Sequence, residues 1–327
     1  MTAQEELLSV RDLSVTFRQA WGAAFQAVRN VSFDLSRGEI LGIVGESGAG
    51  KSTIGWGILG MIEPPHTCTG EITVGGMDKN ILSMSQQELR EYRWRDVTMV
   101  FQSAMNSLDP VITVGKNFSQ LLKDKHVVSS KNEAKRRISE LFRTVGLDES
   151  VLNMYPFELS GGMKQRVSIA MAMGTNPSIL IADEPTTALD TITQFSVLSV
   201  LLDLKRQAKI GAMILISHDL SVQAYMADRV MVMLKGRLIE TGSKKEIFED
   251  PQHPYTKFLV SSLKLGEPSE EKETPAVEGA APNGASESQG CPFADACPYT
   301  MQKCLEKFPE MTRISDTGNV ACYLHGG

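Results

Sequence analysis

What the sequence lacks narrows its class before any motif is read. In 327 residues no apolar run approaches membrane-spanning length. The opening Met1-Thr2-Ala3-Gln4-Glu5-Glu6 has no signal-peptide pattern, so a cytosolic chain is expected. No block of Lys or Arg dominates any stretch, and the formal net charge is −6. That balance disfavours nucleic acid as the main partner. No internal repeat is visible, so a single set of nucleotide-binding motifs means one nucleotide-binding domain per chain. Cysteine is scarce and unevenly spread: of five, Cys68 stands alone, while Cys291, Cys297, Cys304 and Cys322 crowd near the end. In a reducing compartment such a crowd argues for metal rather than disulfides. The apolar fraction, 42%, is ordinary for a globular chain with one large domain and appendages, or two domains.

What is present centres on Gly45-Glu46-Ser47-Gly48-Ala49-Gly50-Lys51-Ser52-Thr53, a G-x-x-x-x-G-K-S pattern. The apolar run 39–44 reads as a buried strand feeding it, and 53–59 as the helix that leaves it. Glycines let successive backbone N–H groups curl around phosphates, and the helix N-terminus adds partial positive charge. Lys51 would reach the β- and γ-phosphates, and the Ser52 hydroxyl would bind Mg²⁺. The loop therefore points to a nucleoside triphosphate.

Around it, period-2 runs between Leu7 and Leu35 predict antiparallel strands with one covered face. Residues 70–76 read as a strand closed by a turn, 85–90 as a short capped helix, and 97–101 as a second buried strand. Helical spacing then dominates to about Thr175, with Val145-Gly146-Leu147 as one stop. Buried-strand patterns return at 179–182 and 213–216, separated by a helix over 194–209, and Lys235-Gly236 predicts a hairpin. These readings place an α/β ATPase core with an antiparallel β subdomain over 1–102 and 176–250, and an inserted helical subdomain over 103–175. An extension (251–265), a Glu/Pro/Ala/Gly/Ser-rich flexible linker (266–290) and a small cysteine module (291–327) follow.

Two further constellations complete the expected site. Asp183-Glu184 ends an apolar strand. Asp183 would hold Mg²⁺ opposite Ser52, and Glu184 could polarise the attacking water as general base. Leu159-Ser160-Gly161-Gly162-Met163-Lys164-Gln165-Arg166 is a second phosphate-binding nest opening a helix. It resembles the signature motif of ABC-type P-loop ATPases, with Met163 where Gln is usual. The resemblance implies two ATPase domains packed head to tail, each ATP lying between one P-loop and the partner's Ser160–Gly162 equivalent. It further implies that Gln102 senses Mg²⁺ and water and couples to membrane subunits, that Asp190 touches the opposite site, and that His218 contacts the γ-phosphate. Phe17 matches the aromatic stacking on adenine, with Phe25 as rival.

The P-loop Glu46-Ser47-Gly48, the run 101–110 and His253-Pro254-Tyr255-Thr256 resemble the ATPase subunits of dipeptide/oligopeptide ABC importers. The resemblance implies a chain on the cytoplasmic face of the membrane, paired with a second, non-identical ATPase. Two transmembrane permease subunits and an extracytoplasmic solute-binding protein would complete the assembly. A soluble, non-transport ABC ATPase is the alternative. The cysteines, spaced C-x5-C-x6-C-x17-C, lack common zinc knuckles; relatives carry a [4Fe–4S] cluster on four such cysteines, and zinc is the alternative. His325 has no role assignable from sequence.

Overall fold

The computed structural model describes residues 5–18, 24–77, 79–101, 108–264 and 289–326. Gln102 and most of the 266–290 linker lie outside them. Strands β1 (Glu6–Phe17) and β2 (Phe25–Ser36) pair antiparallel, with Val10 opposite Phe33 and Leu13 opposite Val31. β3 (Ile40–Gly45) is buried at every position and runs into helix α1 (Lys51–Ile58). β4 (Thr67–Val74) joins the other edge of β1, giving a three-stranded sheet ordered β2-β1-β4.

α2 (Gln86–Arg95) opens on a capping box. The Ser85 hydroxyl accepts the Glu88 N–H, and the Glu88 carboxylate accepts the Ser85 N–H at 2.8 Å. β5 (Val97–Val100) precedes a helical lobe of α3 (Val114–Asp124), α4 (Lys131–Thr144) and α5 (Gly161–Ala172). α4 shows why this stretch is helical: Ala134, Ile138, Leu141 and Phe142 fall on one buried stripe, and Ser130 caps its start. Gly146, at φ +67°, follows its end.

The chain then alternates: β6 (Ile179–Asp183), α6 (Thr191–Arg206), β7 (Ala212–Ile216), α7 (Leu220–Met226), β8 (Arg229–Leu234) and β9 (Arg237–Ser243). α8 (Lys244–Glu249), α9 (Pro254–Lys264), α10 (Gln302–Glu306), β10 (Thr312–Arg313) and β11 (Asn319–Val320) close it. The large sheet is ordered β10-β11-β9-β8-β3-β7-β6-β5, parallel from β8 to β5. β11 pairs antiparallel with β9, Val320 opposite Glu240, so the cysteine segment extends the main sheet.

Parallel central strands are covered on both faces, which is why they read as unbroken apolar runs. Successive side chains nevertheless go to different cores. Ile179 and Ile181 pack with the antiparallel sheet and α1, whereas Leu180 and Ala182 pack with the helical lobe and α6. A third, smaller cluster joins Val44, Val232, Tyr255 and Phe293. Among the described residues no helix is long and apolar enough to cross a membrane.

Candidate nucleotide site

Between β3 and α1 the loop is held open by backbone that only glycine tolerates. Gly45 sits at φ +148° with the Met233 carbonyl where a Cβ would stand, and Gly50 at φ +93° lies against the Ala27 carbonyl. Lys51 Nζ donates to the carbonyls of Gly45 and Glu46 at 2.7 and 2.9 Å. Burial lowers the Lys51 pKa, opposed by the charges of Glu184, Asp183 and Glu46. The Ser52 hydroxyl donates to Asp183 Oδ1 at 2.9 Å, across 131 residues of sequence. Burial raises the Asp183 pKa, while the Ser52 hydrogen bond pulls it back. A hydroxyl and a carboxylate at this distance form a hard-oxygen pair suited to Mg²⁺.

Sheet register places the next group. Asp183 pairs with Ile216 in the parallel β6–β7 ladder, so the residues leaving both strand ends are neighbours. Glu184 follows at φ +50°, its N–H bonded to the Ile216 carbonyl at 2.9 Å. Its carboxylate receives the His218 backbone N–H at 3.0 Å and faces His218 Nδ1 at 2.8 and 2.9 Å. Thr187 Oγ1 donates to its other oxygen at 2.9 Å. A non-glycine residue in the left-handed region, fixed by three groups, is backbone strain maintained at a chemical site.

A cleft of about 450 Å³ opens over the loop. Ser47, Gly48, Gly50, Lys51, Ser52 and Thr53 form its floor, with Glu184 and His218 on one wall. Phe17, Phe25 and Ala27 form the other, so both aromatic candidates face it. Phe17 is braced edge-on by His66 at 5.0 Å, and Phe25 is exposed. Gly45, Glu46 and Ala49 belong to the loop without lining the cleft.

The second nest lies elsewhere. Ser160 caps α5, its hydroxyl accepting the Met163 N–H at 3.3 Å. Gly162 packs so tightly on Thr193 that a Cβ would collide with the threonine methyl. Asp190 caps α6, accepting the Thr193 N–H at 3.0 Å and its hydroxyl at 2.6 Å. Thr193 thus ties the Ser160–Gly162 turn to Asp190, a link carried by no sequence motif. Neither the turn nor Asp190 lines the cleft.

Residues 28–187 match the ABC transporter family, and 239–304 match the oligopeptide/dipeptide transporter C-terminal region. The chain is 43% identical to the oligopeptide transport ATP-binding protein OppD of Bacillus subtilis, over 97% of this chain and 88% of that protein. It is 42% identical to the dipeptide transport ATP-binding protein DppD of the same organism, over 98% and 95%. The chain belongs to the oligopeptide/dipeptide ABC transporter ATP-binding proteins. Its fold is similar to the ATP-binding cassette MJ0796, solved as a dimer bound to ADP and phosphate. The TM-score is 0.65 at 28% identity, over 73% of this chain and 99% of that one. As an ABC ATPase, it binds and hydrolyses ATP.

This ATPase has a second concentration of chemistry in its C-terminal region. Cys291, Cys297, Cys304 and Cys322 are all free and line one small cavity with His253. Cys291 Sγ lies 3.9 Å from His253 Nε2. Burial pushes the Cys291 thiol up to about 11 and the His253 imidazole down to about 3. Among the described residues no three His, Cys, Asp or Glu side chains are grouped closely enough to hold a metal ion. His325, without a role in the sequence, places Nε2 3.3 Å from the Gln252 carbonyl, beside the His253-Pro254-Tyr255-Thr256 run. Thr187 and Thr193 carry no sequence signal at all; a Thr in a loop is recognised only by what it touches.

Proposed function

We propose that this chain powers import of peptides by hydrolysing ATP in the cleft built on Lys51, with the nest of a second ATPase closing over the nucleotide. The carrying observation is one cleft lined by Lys51, Ser52, Glu184 and His218, with Asp183 tied to it through the Ser52 hydroxyl. Loop N–H groups and Lys51 would receive the phosphates, and Phe17 or Phe25 the adenine. Ser52 and Asp183 would hold Mg²⁺, which when bound neutralises charge on the β- and γ-phosphates. Glu184 takes a proton from water as its oxygen attacks the γ-phosphorus in line. The bond from that phosphorus to the bridging oxygen breaks, leaving ADP and phosphate. His218 and Thr187 orient the Glu184 carboxylate for this step.

The Ser160–Gly162 turn would act on the partner's ATP, because its own cleft does not include it. The names of the relatives, oligopeptide and dipeptide transport proteins, support peptides as cargo. Two permease subunits, a solute-binding protein and a place on the cytoplasmic face of the membrane would complete the assembly, as the resemblance to such importers implies. Coupling would run through Gln102. In a reconstituted transporter, ATP-dependent uptake of a labelled tripeptide should vanish in Glu184→Gln while ATP still binds. Uptake that persists overturns the reading.

We infer that the four cysteines, soft thiols lining one cavity, are the donor set of a [4Fe–4S] cluster, with zinc as the alternative. When bound, such a cluster would supply a covalent staple for a segment with little core of its own. Anaerobically purified protein should absorb broadly in the visible, and Cys297→Ser should lose that absorption. A colourless wild type overturns the assignment.

A further inference from the structure

Helix α9 is capped by an imidazole. The Lys257 N–H bonds to the His253 carbonyl at 3.0 Å, which makes His253 the N-cap and Pro254 the first helical residue. His253 Nδ1 accepts the Tyr255 N–H at 3.0 Å, the role usually taken by a side-chain oxygen of Ser, Thr, Asp or Asn. A ring nitrogen that accepts an N–H carries no proton of its own. The neutral ring therefore keeps its proton on Nε2.

That proton faces the cysteine cavity. His253 is 1% exposed, and its Nε2 lies 3.9 Å from Cys291 Sγ, within reach of a sulfur acceptor. The backbone carrying the ring is anchored. Glu240, buried on β9, accepts the Gln252 N–H at 2.7 Å and the His253 N–H at 2.9 Å. Glu240 also pairs with Val320 of β11, two residues before Cys322, so one position of β9 fixes both the imidazole and a second wall of the cavity. A nitrogen that carries a proton does not bind a metal, so His253 stands beside the cysteine donor set rather than in it. An Asp or Asn would cap α9 as well; only a histidine cap leaves an N–H on its far side.

We propose that His253 is a positioning residue that donates its Nε2–H to the Cys291 sulfur and raises the reduction potential of the group held by the four cysteines. The inference rests on the [4Fe–4S] reading proposed above. A hydrogen bond to a ligating sulfur withdraws negative charge. The reduced state carries one more electron and gains more from that bond than the oxidised state does. The His253-Pro254-Tyr255-Thr256 run thereby serves two ends with one ring, starting α9 on one side and tuning a sulfur on the other.

The test is a redox titration, followed by EPR, of the anaerobically purified full chain and of His253→Asn. Asparagine keeps a side-chain oxygen to cap α9 and lacks the donor that faces Cys291. At a fixed potential the oxidised-to-reduced ratio should rise about three- to tenfold in the variant, the range for one hydrogen bond. For one electron that is a midpoint lower by roughly 28–59 mV. The iron content should stay at the wild-type level. Pulsed EPR of the reduced wild type labelled with ¹⁵N-histidine needs no variant: it should show a weakly coupled nitrogen, where a direct ligand would couple strongly. Equal midpoints, no coupled histidine nitrogen, a coupling of ligand strength, or iron lost from folded His253→Asn each overturn the proposal. A wild type without visible absorption overturns the cluster reading and this inference with it. A wild-type cluster whose midpoint ignores His253 removes only the His253 role.

Discussion

Glu184 is where single-residue chemistry is most exposed to test. Its carboxylate is oriented by the His218 N–H and imidazole and by Thr187 Oγ1, so geometry and base are separable. Glu184→Gln keeps the acceptor oxygen and removes the base. Phosphate release should drop about 10²–10⁴-fold with ATP affinity retained, measured by single-turnover hydrolysis beside equilibrium binding. Thr187→Val removes only an orienting hydroxyl and should cost far less, about tenfold, in the same assay. The sequence alone identified Glu184 by its place after Asp183 at a strand end. It was silent on Thr187, because orienting hydrogen bonds depend on where a loop doubles back.

At the scale of elements, two junctions decide how the functional turns are held. The first is the crossing of α5 over the start of α6, where Gly162 lies against Thr193. Gly162→Ala forces a methyl into that contact and should destabilise the fold by about 1–3 kcal/mol, read by denaturant unfolding. Gly162→Ala paired with Thr193→Ser, which removes the colliding methyl, should recover much of the loss. The second junction is Glu246 on α8. It accepts from Thr317 Oγ1 at 2.6 Å, from the Ser243 N–H and hydroxyl at 2.7 Å each, and from Ser315. Burial pushes the Glu246 carboxyl up, but the hydrogen bonds of Ser315, Thr317 and Ser243 outweigh it and bring it down to about 2. The folded value lies below the ordinary carboxylate range. Its stabilisation is therefore complete above the ordinary carboxylate range and is lost as pH falls toward about 2. Limited proteolysis should show the 312–320 hairpin protected at neutral pH in wild type, loosening as pH falls toward about 2, and already loose at neutral pH in Glu246→Ala. Patterning made the elements themselves readable: the capped α2, the amphipathic α4 and the β8–β9 hairpin all appear where their spacing places them. The two-residue strands β10 and β11 were not readable, since two residues carry no period.

For the molecule as a whole, the cleft and the Ser160–Gly162 turn occupy different places on one chain. In the proposed arrangement a single copy would present each half of a nucleotide site and complete neither. Glu184→Gln with ATP and Mg²⁺ should shift toward a dimer in light scattering, alone or with a second ATPase. Ser160→Arg should abolish that shift while the chain still binds ATP. The C-terminal region also takes part in the whole rather than hanging from it. β11 adds to β9, Tyr255 and Phe293 pack under β3, and four cysteines share one cavity with His253.

The sequence by itself determined the family and marked the candidate groups. Gly45–Thr53, Asp183-Glu184 and Ser160–Gly162 are contiguous stretches, and contiguous motifs survive translation into a string. What only tertiary structure decided is which distant groups face each other. Ser52 meets Asp183 through the order of strands, His218 meets Glu184 through the β6–β7 register, and Tyr255 joins Val44 in one apolar cluster. Those pairings follow from non-local packing and sheet register, where a shift of one residue turns a side chain to the other face, and no local pattern encodes them.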